Sequence, residues 1–122
     1  MNRPSYKELF NKLREARKAV AENRIALLNP MSLAADAIEL DYDIQLELII
    51  ALMELLEAAT PSDYTGSRPP QRSYEQDIQG LELFAFIVTS RRFKCRVYLK
   101  FALAENCFWL VSLHPDRPVL EE

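Results

Sequence analysis

The feature that most constrains the fold is a strict alternation of apolar and polar side chains through residues 93–103. A period of two is typical of a β-strand, whose successive side chains point to opposite faces of a sheet. One face is expected to be core and the other solvated, as in an antiparallel sheet. The apolar set is Phe93, Cys95, Val97, Leu99, Phe101 and Leu103, and the polar set is Lys94, Arg96, Tyr98 and Lys100.

Two further β-rich segments flank this strand. Residues 81–89 precede it across a turn at 90–92, and residues 107–114 follow it across a turn at 104–106. Strands joined by such short turns pair in antiparallel fashion. The pattern therefore predicts a small antiparallel meander over about residues 81–114.

The register of the last two strands follows from bringing their apolar sides together, because a shift of one residue would reverse every side chain. A turn at residues 104–106 meets this condition. The predicted cross-strand pairs are Leu103 with Cys107, Phe101 with Trp109, Leu99 with Val111, Tyr98 with Ser112, and Arg96 with His114.

Residues 5–59 carry the signals of three α-helices. Capping residues precede each apolar stripe, and the stripes recur at three and four residues. The caps are Ser5 with Glu8, Asn29 with Pro30, and Asp41 or Asp43. The stripe of the third helix comprises Ile44, Leu48, Leu52, Leu55 and Ala59, and it is expected to pack on Cys95, Val97, Leu99, Phe101, Trp109 and Val111.

A long loop separates the helices from the meander. Residues 60–79 contain two prolines in a row and no clean periodicity, which is typical of a functional or mobile connection. The chain of 122 residues is long enough for one core. The prediction is a single domain of the α+β class, with N-terminal helices packed on a small C-terminal antiparallel sheet.

Several sequence signals are missing, and their absence leads to expectations about location and cofactors. No apolar stretch of signal-peptide type follows the N-terminal charges, and the longest apolar run, residues 48–53, falls short of the roughly 20 residues that span a bilayer. A cytoplasmic protein with no membrane contact is expected. Cys95 and Cys107 would lie about eight residues apart along a hairpin, too far for a disulfide. With a single histidine, they supply no closed zinc site, and no cofactor is expected.

The net charge of −3 conceals a strong asymmetry. Residues 1–24 contain seven basic and three acidic residues, whereas residues 25–65 contain eight acidic residues and no basic one. Residues 91–100 are basic without one acid. The first helix and this strand are the two regions that could attract phosphate, although a solvated strand face is the commoner explanation for the second.

The predicted hairpin gathers a polar constellation. Cleavage of RNA by side chains alone needs a base for the 2′-hydroxyl, cations for the developing phosphorane charge and an acid for the leaving oxygen. With only two glycines, a nucleotide-cradling loop is not expected. The residues that would form the constellation are Arg96, Tyr98, Lys100 and His114, with Gln76 and Arg72 from the long loop.

Short segments spread along the chain resemble the MqsR toxin family, one of the RelE-like groups of bacterial mRNA interferases. The resemblance implies a RelE-like fold and an endoribonuclease toxin of a type II toxin–antitoxin pair, with mRNA and a cognate antitoxin as partners and the ribosome as a further candidate. The segments are Ala-Leu-Leu-Asn at 26–29, Leu-Asp-Tyr-Asp at 40–43, Gln-Asp-Ile at 76–78, Val-Tyr-Leu-Lys at 97–100 and Leu-Val-Ser at 110–112.

The resemblance also assigns roles to individual residues. It makes Gln76 a substrate-positioning residue and Tyr98 the group that orients or activates the 2′-hydroxyl. Two family lysines are missing, because Gly66 and His114 stand in their places. His114 would protonate the leaving oxygen, as a C-terminal histidine does in other RelE-like toxins. The expected set is catalytic Tyr98, His114, Gln76, Arg96 and Lys100, with RNA-binding Arg91, Arg92, Lys94, Arg72 and Arg68.

A non-catalytic interaction module on the same fold is the alternative. It would bind a protein through the long loop or through the acidic third helix. The acidic residues 25–65 and the missing lysine favour this alternative, whereas the hairpin constellation favours the enzyme.

Overall fold

Helices fill the N-terminal half of the chain and most of the sheet follows. A computed structural model describes residues 5–67 and 69–117. The predicted α+β class, with N-terminal helices and a C-terminal sheet, is confirmed. The elements are α1 (Tyr6–Ala21), β1 (Ile25–Leu27), α2 (Pro30–Leu40), α3 (Ile44–Ala58), β2 (Phe84–Ser90), β3 (Cys95–Ala104) and β4 (Cys107–Pro115), with 3-10 turns at Pro61–Asp63 and Gln76–Ile78.

All three helices begin where their capping residues predict. Ser5 and Glu8 form a reciprocal capping box, in which each side chain accepts a hydrogen bond from the other's backbone N–H, at 3.1 and 3.2 Å. The Asn29 side chain accepts from the N–H of Ser32 at 3.3 Å. Asp43 accepts from the first turn of α3 in the same way. These bonds satisfy N–H groups that the helix itself cannot pair.

The sheet is mixed, which corrects the prediction of a purely antiparallel sheet. Its strand order is β1-β4-β3-β2, and β1 runs parallel to β4. The N–H of Phe108 donates to the carbonyl of Arg24 at 2.8 Å, and the N–H of Leu28 donates to Leu110 at 3.0 Å. β1 has 3 residues, too few to display a period of two, so the sequence pattern did not predict it.

One face of the sheet carries the core beneath the helices. Val97, Leu99 and Phe101 of β3 are fully buried, as predicted, and so is Leu52 of α3. The predicted contribution of β4 was wrong, because Trp109 and Val111 are only half-buried. The core residues of β4 are instead Phe108, Leu110 and Leu113.

The register of β3 and β4 explains this correction. The turn contains Glu105 and Asn106 alone, both with positive φ of 51° and 65°, as favoured in tight hairpins. Beyond Phe101, which pairs with Leu110, a bulge leaves Val111 without a partner. The observed pairs that replace the predicted ones are Ala104 with Cys107, Lys100 with Ser112 and Tyr98 with His114.

The face of the sheet away from the helices is only partly exposed to solvent, and the same is true of the outer edge of β2. Ala85 and Ala102 lie on the face away from the helices and are nonetheless buried. The long loop covers the edge, since Tyr64 forms a β-bridge with Phe86 and the N–H of Thr65 donates to Ala85 at 2.8 Å. The polar face of the meander is therefore a narrower patch than strict alternation predicts.

Candidate active site

The polar patch centres on a stacked pair of rings, Tyr98 of β3 and His114 of β4. Their centroids are 5.0 Å apart and their planes are inclined by 17°. They face each other because the bulge shifts the register of β4 by one residue. Both side chains are partly buried, so each ring keeps one side toward its partner and part of its surface toward solvent. We call these residues the Tyr98–His114 pair.

The histidine is held in one orientation by its own backbone neighbour. His114 Nδ1 lies 2.7 Å from the carbonyl oxygen of Pro115. A carbonyl oxygen only accepts hydrogen bonds, so Nδ1 carries a proton and donates it. Nε2 is then a lone-pair acceptor in the neutral ring and a proton donor in the charged ring. Within residues 5–67 and 69–117 no hydrogen bond engages Nε2.

The tyrosine has the opposite chemical tendency. Burial raises the pKa of Tyr98 above its ordinary value, because a phenolate is poorly solvated away from water. The phenol therefore stays protonated through the neutral range and acts as a hydrogen-bond donor. The pair thus combines a neutral donor with a ring that can exchange a proton.

Two cations flank the pair on the same face of β3. Lys100 pairs with Ser112, one step along the ladder from the Tyr98–His114 pair, or about 7 Å at the usual rise per residue. Arg96 lies one step the other way and is largely exposed, with its Nη1 3.8 Å from the Asp116 carboxylate. The two cations bracket the rings, and the Asp116 carboxylate offsets part of the charge of Arg96.

The turn between β2 and β3 places its three cations unequally. Arg92 is bound to α3, where its Nε and Nη2 donate to the Glu54 carboxylate at 2.7 and 3.1 Å and its Nη1 lies 3.5 Å from Glu47. The hydrogen bond from Arg92 lowers the pKa of Glu54. Arg91 and Lys94 are exposed. Of the three predicted RNA contacts in this turn, Arg92 is thus already occupied by protein.

The remaining predicted site residues lie on the long loop. Gln76 is exposed in its 3-10 turn, and in the described chain no hydrogen bond joins it to the Tyr98–His114 pair. Arg72 donates to the carbonyl of Gly80 at 3.1 Å and so closes the loop on itself. Arg68 lies outside the described residues.

Gly66 occupies a position that admits no larger residue in this conformation. A Cβ there would lie 2.6 Å from the hydroxyl oxygen of Tyr64. That hydroxyl donates to the carbonyl of Ser67 at 2.6 Å, so the ring cannot easily move aside. The loop is built around Tyr64 and would have to change shape to present a lysine at this position.

The sequence pattern missed a groove of about 900 Å³ between the end of α3 and the β2–β3 turn. Met53 and Ala58 supply its apolar wall, with Glu57 and Arg91 at its margin. The sequence of α3 did contain a signal for this groove, because the helix carries apolar residues on its outer side as well as on its inner side. Among the described side chains, no three of the His, Cys, Asp and Glu type are placed to hold a metal ion.

No protein-family profile matches the chain, and a comparison with curated proteins finds no significant match. Within the described ranges, 5–67 and 69–117, no helix has the length and apolar character needed to cross a membrane.

Proposed function

We propose that this protein is an endoribonuclease of the toxin type that cleaves RNA through attack of the substrate's own 2′-hydroxyl. The observation that carries the proposal is the Tyr98–His114 pair, a proton-exchanging ring fixed beside a protonated phenol. Lys100 and Arg96 supply positive charge on either side. The arrangement offers the cations and the acid that this reaction needs, Tyr98 orients the 2′-hydroxyl, and water takes the place of a side-chain base.

The reaction would proceed in one displacement at phosphorus. Tyr98 donates a hydrogen bond to the 2′-oxygen and so orients it, while the 2′-hydroxyl loses its proton to water. The 2′-oxygen forms a bond to phosphorus, and the bond from phosphorus to the 5′-oxygen breaks. Protonated His114 gives its Nε2 proton to that 5′-oxygen, and Lys100 and Arg96 stabilise the charge on the phosphorane. The products are a 2′,3′-cyclic phosphate and a 5′-hydroxyl.

The resemblance of several short segments to MqsR toxins supports the same proposal. It adds mRNA as substrate, a cognate antitoxin as partner and the cytoplasm of a bacterium as location. The ribosome remains a candidate for presenting the mRNA. In this proposal the exposed side chain of Gln76 contacts the substrate from the long loop.

Expression and cleavage assays test the proposal together. The wild-type chain, expressed in bacteria from a tightly controlled promoter, is expected to stop growth. The purified protein is expected to cut single-stranded RNA, alone or with ribosomes, and to leave cyclic phosphate ends that mass spectrometry identifies. Folded wild-type protein that is harmless and cuts RNA under neither condition would end the nuclease proposal.

A second candidate function is a non-catalytic interaction module. The observation that favours it is the engagement of Arg92 by two glutamates, which removes one cation from the turn. A neighbouring gene for a small antitoxin would separate the two functions, because a toxin without an antitoxin would kill its host.

A further inference from the structure

The third helix is apolar on two sides, and only one of these is covered. Its inner side packs in the core through Leu48, Leu52 and Leu55. Its outer side carries four more large apolar residues at spacings of three and four. We call them the α3 stripe: Leu46, Ile49, Ile50 and Met53.

The α3 stripe is contiguous and exposed. Leu46 is 78% exposed, Ile50 51% and Ile49 41%, while Met53 is half-buried and opens into the groove beside the β2–β3 turn. An apolar stripe on a helix normally packs against another element. The exposed side of α3 thus has the composition of an interface rather than of a solvated surface.

The charges around the α3 stripe decide what can cover it. Helix α3 and its N-cap carry Asp43, Glu47, Glu54 and Glu57. Arg92 pairs with Glu47 and Glu54, which leaves an acidic excess, and Glu57 in the lining of the groove has no partner in the described chain. RNA and anionic lipid would both be repelled by this region. A helix with apolar anchors and flanking lysines or arginines would match both the stripe and its charge.

The size of the stripe argues against a second copy of this chain. Residues 46–53 span only about 12 Å along a helix, and a stable dimer needs about 800 Å² from each partner. Two acidic helices would also face each other in a symmetric pair. A partner helix can use the groove in addition to the stripe, which extends the contact past Met53 toward Glu57 and Ala58.

We propose that the α3 stripe and its groove are a docking site for a basic amphipathic helix of a partner protein. None of the stripe residues belongs to the Tyr98–His114 patch, so the site does not depend on RNA cleavage. If the nuclease proposal holds, an antitoxin is the natural owner of such a helix, and it would dock away from the catalytic patch.

The test uses the whole chain and a fluorescent peptide of 18 residues, made of leucine and lysine with the leucines at helical spacings of three and four. Saturable binding in an anisotropy titration is expected. The double substitution Leu46→Gln with Ile50→Gln is expected to weaken it at least tenfold. A matched pair on α2, Met31→Gln with Ile38→Gln, has 85% and 81% exposed residues and is expected to leave binding unchanged.

Two further arms locate the site and check its chemistry. A benzophenone on the peptide is expected to cross-link to Met53, and digestion after glutamate separates that residue from Met31 because Glu39 and Glu47 lie between them. Replacing the peptide lysines by glutamates is expected to weaken binding at least tenfold.

Three results would overturn the proposal. One is equal loss of binding from both double variants, and another is equal binding of the acidic peptide. The third is a dimer of the wild type, seen by light scattering, that the Leu46→Gln and Ile50→Gln pair abolishes, since a second copy would then own the surface. Circular dichroism of each variant confirms that exposed substitutions leave the fold intact.

Discussion

At the scale of single residues, burial decides what each polar side chain can do. Tyr98 keeps its proton because it is half-buried, and His114 is oriented because Nδ1 donates to Pro115. Neither property is visible in a residue's identity. The sequence predicted that both residues would share the polar face. Their direct stacking depends on the bulge, which no local sequence pattern predicted.

Removing either member of the Tyr98–His114 pair should abolish cleavage if the patch is catalytic. Tyr98→Phe and His114→Ala are each expected to slow RNA cleavage by about 10²- to 10⁴-fold, the usual contribution of a general acid or a positioned donor. Single-turnover rates on labelled RNA measure the loss.

The control for this prediction is Tyr74→Phe, since Tyr74 is 89% exposed on the long loop and is expected to be neutral. The melting temperature of all three variants should stay close to that of the wild type. Full activity in His114→Ala would remove the histidine from the mechanism.

Tyr42 predicts an unusual response to high pH. Its hydroxyl is buried without a hydrogen-bond partner in the described chain, and burial together with nearby Asp36 raises the pKa of Tyr42 to about 12. An unfolded tyrosine ionises near 10. As pH rises from about 10 to about 12, the unfolded chain releases this proton and the folded chain keeps it, so stability falls.

Tyr42→Phe is therefore expected to be neutral or stabilising, by up to about 1 kcal/mol, at pH 7 because it removes an unpaired buried hydroxyl. The advantage should grow above pH 10. Urea titrations of both proteins at several pH values measure it. A variant that is less stable than the wild type at every pH would mean that the hydroxyl has a bonding partner.

At the scale of secondary structure elements, local signals were sufficient for the helices and insufficient for the sheet. The caps at Ser5, Asn29 and Asp43 predicted three helix starts because a capping bond joins residues that are near in sequence. β1 depends on pairing with Phe108 far along the chain. The register of β4 depends on a bulge at Val111. Phe108 and Leu110 are buried before the bulge, and Leu113 is buried after it. A strict alternation assumes that the strand has no bulge.

Alanine substitutions along β4 test this register. Leu110→Ala is expected to cost about 2 to 5 kcal/mol of unfolding free energy, the range for a cavity in a packed core. Val111→Ala should cost clearly less, because Val111 is half-buried and unpaired in the bulge. Leu99→Ala and Leu52→Ala, both fully buried, should resemble Leu110→Ala. Chemical denaturation gives all four values, and a larger loss at Val111 would restore the simple register.

At the scale of the whole molecule, basic and acidic residues lie in different regions of the chain, and ion pairs join some of them. Arg92 binds Glu54 and Glu47 of α3, and Arg117 binds Glu39 of α2 at 2.6 Å. Both arginines thus fasten the ends of strands to the acidic helices. Lys94 and Arg91 remain exposed on the same turn as Arg92. The three cations of this turn are therefore not equally available to bind phosphate.

The salt dependence of RNA affinity should reveal this difference. Lys94→Ala is expected to reduce the slope of log affinity against log salt by about 0.7, the value for one phosphate contact on a single strand. Arg92→Gln should leave the slope nearly unchanged, since its charge is already neutralised by α3. Titrations at three salt concentrations measure both slopes, and an equal reduction would mean that Arg92 leaves the glutamates to bind RNA.

The treatment of the two sheet edges has a consequence for self-association. Long edge strands with free N–H and carbonyl groups template the addition of further strands, which leads to aggregates. β3 and β4 are the longest strands of this sheet, and both are interior. Tyr64 and Thr65 occupy part of the β2 edge, and β1 presents only a short ladder at the other. The two longest strands, β3 and β4, are thus covered by the shorter strands β2 and β1. Detachment of residues 64–65 from β2 would expose an edge to which strands of other molecules could add.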